Sequence, residues 1–75
     1  MSAVPAVGSI LTVRTRLCRN YSGARLQAVG AEVTLTVLAV GGGTIRFITA
    51  MVNEDIEHVE RFIWDDVSPG VIEAG

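Results

Sequence analysis

The stretch from Gly30 to Ile48, GAEVTLTVLAVGGGTIRFI, contains the clearest secondary-structure signal in the chain. From Val33 onward, apolar residues alternate with threonines, and this period of two is typical of a β-strand and not of a helix. Gly41–Gly43 then offer positions that adopt positive φ without steric cost, as a tight turn between antiparallel strands requires. The stretch therefore predicts a β-hairpin. The residues predicted to meet across it are Ile45 and Phe47 from the second strand, with Val37 and Leu35 from the first.

The residues before the hairpin predict two shorter strands. Ser9–Leu17 alternates in the same way, which places Arg14 and Arg16 together on one face of a first strand. Arg19–Gly23 has turn-forming residues at its ends and predicts a loop. Arg25–Val29 is then predicted to form a short strand that ends at Gly30.

After the hairpin, strand character persists to about Val52, and the next segment fits two structures. Asn53–Asp55 has the composition of a helix start, with a capping residue followed by acids. Ile56, Val59 and Phe62 then fit helical spacing, but alternating residues in the same segment also fit a strand, and periodicity alone leaves both open. A turn is predicted at Ser68–Gly70, followed by a final edge contact from Val71 and Ile72.

Composition predicts a single small domain with more apolar residues than its core can bury. We assign residues 1–7 to a flexible leader and residues 8–75 to one β-rich domain, because 75 residues support only one core. Hydrophobic residues make up 49% of the chain, which favours a homodimer that covers part of them. Leu38, Val40 and Ile48, on the less polar side of the hairpin, are the predicted contacts.

Charge is segregated along the chain although the net charge is only −2. Four of the six arginines precede the first acid, Glu32, whereas seven of the eight acids lie in the last third. This asymmetry fits a face that binds nucleic acid, with Tyr21 as the nearby aromatic for base stacking. It fits equally well a fold in which arginines and acids pair with each other. The early arginines are Arg14, Arg16, Arg19 and Arg25.

No motif in the sequence indicates catalysis. Cys18 and His58 lack an identifiable orienting group, and Cys18 fits better as a small buried hydrophobe. The three glycines lack the lysine and hydroxyl residue of a phosphate-binding loop. The acids and His58 show no metal-ligand spacing, so they read as a solvated face. We therefore expect no enzymatic activity, no catalytic residue, no cofactor and no metal.

The location predicted from the sequence is the cytoplasm. Cys18 is the single cysteine, which suits a reducing compartment. The longest central stretch without charge, Val33–Ile45, is too short for a membrane span. No membrane association is expected.

With the residues laid out in this way, the chain resembles the CsrA/RsmA family of small bacterial translational regulators. The resemblance lies in ILTVR at Ile10–Arg14, in Gly23 followed by Leu26, and above all in GAEVTLTVLAVGGGTIR at Gly30–Arg46. It implies an intertwined dimer in which each protomer lends its first and last strands to the other. It also implies binding of GGA-containing loops in messenger RNA leaders. On this resemblance Arg14 matches a first-strand arginine of the RNA site, and Arg61 matches the arginine contributed by the last strand of the partner.

The sequence thus predicts a mainly β fold of about five short antiparallel strands with a short C-terminal helix, in an intertwined dimer. The alternative is an SH3-like small β-barrel. The leading functional hypothesis is a non-catalytic RNA-binding protein. A homo-oligomeric module that binds protein and no RNA is the alternative, since Glu57 and Glu60 bring negative charge close to Arg61. The predicted RNA-binding residues are Arg14, Arg16, Arg19, Arg25 and Arg61.

Overall fold

A computed structural model describes residues 3–23 and 30–72, and it places five strands in one antiparallel sheet. A short helix, α1 (Trp64–Val67), precedes the last strand and continues into a 3₁₀ turn at Ser68–Gly70. The predicted class, mainly β with a short C-terminal helix, is confirmed. The strands are β1 (Ile10–Arg14), β2 (Glu32–Gly41), β3 (Phe47–Val52), β4 (Val59–Ile63) and β5 (Val71–Ile72).

The strand order in the sheet is β4-β3-β2-β1-β5, so the first strand lies between the second and the last. The predicted edge contact is confirmed, because Val71 pairs with Val13. At the opposite edge Asn20 forms an isolated bridge with Phe62 on β4, which brings the segment after β1 back to the sheet. The intertwined dimer stays a prediction.

The alternation of β2 decides which face of the sheet is buried. Val33, Leu35 and Val37 point into the core, whereas Thr34 and Thr36 on the opposite face are half-buried. Each buried Val, Leu or Phe side chain contributes about 1.5–3 kcal/mol relative to an exposed one. Val4, within the predicted leader, packs against this core. The core residues are Val13, Cys18, Val33, Leu35, Val37, Ile48, Ala50, Val52, Phe62, Trp64 and Val67.

The predicted hairpin exists as β2 and β3, but its turn and its register were wrong. Strand β2 continues through Gly41, and β3 begins only at Phe47. A bulge between Val37 and Ala39 leaves Leu38 outside the pairing. Leu35 and Val37 consequently face Val52 and Ala50, while Ile45 lies exposed in the loop.

The first strand is shorter than predicted. It ends at Arg14, and Thr15–Leu17 form a 3₁₀ turn in which the Cys18 N–H donates to the Thr15 carbonyl. Arg16 therefore leaves the strand and does not share a strand face with Arg14. The strand predicted at Arg25–Val29 lies outside the described residues.

The helix predicted to start at Asn53 is also wrong. Asn53 and Glu54 both have positive φ, +53° and +59°, and the Asp55 N–H donates to the Val52 carbonyl across them at 3.0 Å. These are the features of a type I′ turn, and a second turn, in which the His58 N–H donates to the Asp55 carbonyl, leads from it to β4. The strand alternative is correct from Val59 to Ile63, and the helix starts at Trp64.

Replacing Glu54 with glycine should stabilise the protein by about 0.5–1 kcal/mol, because a left-handed conformation is strained for residues with a Cβ and free for glycine. Asn-Gly is the preferred pair in this turn type. Thermal unfolding monitored by circular dichroism measures the change. Glu57→Gly, in the same loop but without positive φ, is the matched control and should give no gain.

The apolar residues used to predict a dimer divide into two groups. Ile48 is buried within its own chain, whereas Leu38 and Val40 are 43% and 44% exposed. Only the latter two are therefore accessible to a second copy. In residues 3–23 and 30–72, no helix has the length and apolar character that crossing a bilayer requires.

Candidate functional site

Three side chains on one side of β4 form a compact cluster. Alternation along β4 buries Phe62 and turns Arg61 outward. The Arg61 guanidinium carbon lies 4.7 Å from the centre of the Phe47 ring and 5.6 Å from that of Tyr21. The two rings meet edge to face, with centroids 6.1 Å apart. We call Tyr21, Phe47 and Arg61 the aromatic–arginine patch.

The backbone positions both rings beneath Arg61. Phe47 is the first residue of β3 and pairs with Ile63 at the end of β4. Tyr21 follows the bridge between Asn20 and Phe62, and its N–H donates to the Arg61 carbonyl. A guanidinium over aromatic rings gains about 0.5–1 kcal/mol at exposed sites. The cluster is therefore held at a defined place on the surface.

Beside the patch is an open cleft of about 210 Å³, lined by Asn20, Tyr21, Ser22, Glu60 and Arg61. Its polar side chains form a chain of hydrogen bonds. The Ser22 hydroxyl donates to Asn20 Oδ1 at 2.9 Å, and Asn20 Nδ2 donates to Glu60 Oε1 at 3.1 Å. The other Glu60 oxygen lies 2.9 Å from His58 Nε2. The cleft thus combines an aromatic ring, a guanidinium and an oriented carboxylate.

Arg14, the principal first-strand candidate, is engaged elsewhere. It donates to the Gly30 carbonyl at 2.9 Å and lies 3.8 Å from a carboxylate oxygen of Glu32, its partner across the sheet. Arg61 pairs with Thr49, which pairs with Ala39, seven residues along β2 from Glu32. At 3.3 Å per residue this is roughly 20 Å along the strand. Within one chain Arg14 and Arg61 are not brought together.

Arg16 and Arg19 are exposed, and neither has a carboxylate within 4.0 Å in the described part of the chain. Arg19 lies two residues before Tyr21 in the chain and precedes the bridge residue Asn20. Arg25 lies outside the described residues. Arg46, which was not predicted, forms an ion pair with Asp65 of α1.

Sequence reasoning identified Tyr21 and Arg61 but missed Phe47. The predicted register places Phe47 opposite Leu35 across the hairpin. In the structure it is half-buried and pairs with Gly41. The sequence signal for Phe47 as a site residue was its position directly after an arginine, at the end of a glycine-rich loop.

Cys18 is buried, as predicted. Burial, followed by the negative charges of Glu60 and Asp66, raises the pKa of the Cys18 thiol to about 12. The thiol is therefore protonated at neutral pH and is a poor nucleophile. Among the described residues there is no group of three or more His, Cys, Asp or Glu side chains that could hold a metal ion.

No protein-family model matches the chain, and no curated protein or solved structure matches it either. The resemblance to the CsrA/RsmA family stays a prediction.

Proposed function

We propose that the protein is a small non-catalytic RNA-binding protein that holds single-stranded RNA at the aromatic–arginine patch. The observation that supports this most is the state of Arg61. Its guanidinium is fixed over two rings, its residue is exposed, and no carboxylate within the described residues lies within 4.0 Å of it. Such a guanidinium is preorganised for an anion that comes from another molecule.

The chemistry of the patch suits RNA in particular. Proteins bind single-stranded RNA by stacking its bases on aromatic rings and guanidinium planes while cations contact its phosphates. Tyr21 is 57% exposed, so part of its ring is open for stacking. Arg16 and Arg19, on the segment that leads to Tyr21, add positive charge.

One of the two acids near the patch, Asp65, is paired with an arginine, which limits its repulsion of phosphate. Glu60 accepts from Asn20 and contacts His58, and Asp65 is paired with Arg46. A chain with a net charge of −2 can therefore present a locally positive surface around Arg61. The proposal shifts the RNA site from β1 to the segment around Tyr21 and to β4. A role in translational regulation is part of the proposal only through the family resemblance.

A titration of labelled RNA tests the proposal. We expect a hairpin with a GGA loop to bind more tightly than a hairpin with a scrambled loop, measured by fluorescence anisotropy. Arg61→Gln should weaken binding by about 1–3 kcal/mol, the cost of one lost base contact. Arg14→Gln is the matched control and should have a smaller effect, because its guanidinium is occupied by Gly30 and Glu32.

Repeating the titration at 50 and 200 mM salt separates the kinds of contact. A variant that loses a phosphate contact shows a shallower fall of log affinity with log salt. Equal and negligible binding of both hairpins would overturn the RNA proposal. An effect of Arg14→Gln as large as that of Arg61→Gln would show that the site has been placed on the wrong strands.

A second candidate, an interaction module that joins protein chains without RNA, is favoured by the outer face of the sheet. Ile10, Thr36, Met51 and Val59 pair in one row across four strands, and the row carries no charge. Ile10 is 64% and Val59 44% exposed. This candidate predicts negligible RNA affinity in the titration above. Sedimentation velocity at micromolar concentration then decides whether two copies associate.

A further inference from the structure

Strand β2 extends beyond the end of its neighbour β1, and part of its edge has no strand beside it. The pairing with β1 ends at Thr36, and the last hydrogen bonds on that side join Val37 to Ser9 and Gly8. The Ser9 N–H closes a turn in which Gly8 has φ +94°, so the chain turns away from β2 at this point. We call residues 38–41, the part of β2 past this turn, the free edge.

The backbone of Val40 points towards the side of β2 that lacks a strand. The Asn53 N–H donates to the Thr34 carbonyl, so alternate residues of β3 counted back from Asn53, among them Thr49, bond to β2. Thr49 pairs with Ala39, so Ala39 bonds to β3 and the next residue, Val40, is directed the opposite way. Within residues 3–23 and 30–72, neither the N–H nor the carbonyl of Val40 has a partner on that side.

The free edge lacks the charges and prolines that commonly keep strand edges from pairing. Leu38 and Val40 are 43% and 44% exposed, and Ala39 between them is exposed as well. No residue in 33–45 is charged or a proline. The bulge at Leu38 bends the strand where the free edge begins, but Val40 stays in register with β3. An uncharged edge of this kind is a template for a further strand.

We propose that the free edge is an interface for a second copy of this chain, with the β2 strands of two copies paired antiparallel about a two-fold axis near Val40. Such pairing is self-complementary, since the N–H groups of one strand meet the carbonyls of its copy. The lack of charge suits this partner, because a charged residue near the axis would face its own copy. Val40 pairs with the buried Ile48, so the Val40 side chains of the two copies meet on the core face of the sheet.

The length of the free edge limits the strength of this association. Four strand residues span about 14 Å. A contact of that length is smaller than the interface of a stable complex, which buries about 800 Å² per partner. We therefore expect two copies to associate weakly and reversibly. The inference goes beyond the proposed function and uses no residue of the aromatic–arginine patch.

Sedimentation velocity between about 10 µM and 1 mM measures the association, which follows mass action. Val40→Lys brings two like charges together and removes two half-exposed valines from the interface, so it should weaken association at least about 10-fold. Val59→Lys is the matched control, because Val59 is also a strand valine with 44% exposure but lies on the outer face of the sheet. It should leave association unchanged. Circular dichroism shows whether both variants are folded.

Hydrogen exchange followed by NMR tests the backbone contact in the unsubstituted chain. The Val40 amide should exchange rapidly at low protein concentration, where it has no partner. Its exchange should slow at least about 2-fold once half of the chains are paired. The Thr49 amide, which bonds within the chain, should exchange slowly at every concentration. This measurement decides the matter by itself if Val40→Lys does not fold.

The outcomes separate this interface from the other ways in which the chain could associate. Association that Val40→Lys weakens and Val59→Lys does not, with slowed exchange at Val40, would support the inference. Association weakened by Val59→Lys alone would overturn it in favour of the outer face. A dimer that neither substitution affects, as an intertwined dimer would be, would also overturn it. So would a chain that stays monomeric at about 1 mM, which would leave the free edge to an extended peptide from another protein. None of these outcomes depends on RNA binding.

Discussion

Replacing Gly42 with alanine should lower the free energy of unfolding by about 2–4 kcal/mol, which strained or overpacked backbone positions typically cost. Gly42 has φ +117°, a conformation that residues with a Cβ rarely adopt. A Cβ at this position would lie 1.9 Å from the Ile45 carbonyl oxygen and 2.8 Å from Arg46 Cα. Both neighbours are backbone atoms, so the clash cannot be relieved by turning a side chain. The loop between β2 and β3 must change shape.

Gly43 provides the matched control for this substitution. It is the next residue, its φ is outside the positive range, and a Cβ there would meet nothing within 4 Å. Gly43→Ala should therefore change stability by less than about 0.5 kcal/mol. Urea unfolding followed by tryptophan fluorescence measures both variants. Similar losses at the two positions would show that the loop has a different conformation.

The loop explains why the sequence predicted the hairpin but misplaced its turn. Alternation in β2 and the three glycines were sufficient to predict two strands and a connection. The ends of the connection depend on contacts from distant residues. The Trp64 N–H donates to the Arg46 carbonyl, and Arg46 pairs with Asp65, so the loop is fastened to α1. The bulge near Leu38 then shifts the register, which a pattern of period two does not reveal.

The candidate site was predictable as a set of residue types but not as an arrangement. Arg61 and Tyr21 were recognisable as ligands for RNA, but they are 40 residues apart in the chain. Their contact depends on one bridge between Asn20 and Phe62, which no local pattern encodes. Arg14 is exposed, but Arg16 lies in the 3₁₀ turn and does not share a strand face with it. The pairing of Arg14 with Glu32 follows from the register of β1 and β2, which becomes known only when the sheet is assembled.

The segment from Ile56 to Ile63 shows how burial distinguishes the two structures that its sequence allowed. A helix would bury Ile56, Val59 and Phe62 together on one face. In the structure Phe62 is fully buried, whereas Val59 is 44% and Ile56 82% exposed. Strand β4 begins at Val59, and its neighbouring side chains point to opposite faces.

Phe62→Ala should consequently cost about 3–5 kcal/mol of unfolding free energy, the range for removing a buried aromatic side chain. Among the described residues Phe62 is the largest fully buried side chain, and it pairs with Ile48 across β3 and β4. Ile56→Ala and Val59→Ala should each cost less than about 1 kcal/mol, since exposed side chains lose little contact. Urea unfolding of all three variants gives the comparison. Because a domain of this size has only about 4–11 kcal/mol of stability, Phe62→Leu is added as a milder substitution if the alanine variant is unfolded. Losses of comparable size at Ile56, Val59 and Phe62 would support the helix and contradict strand β4, and with it the outward orientation of Arg61 on which the proposed binding site depends.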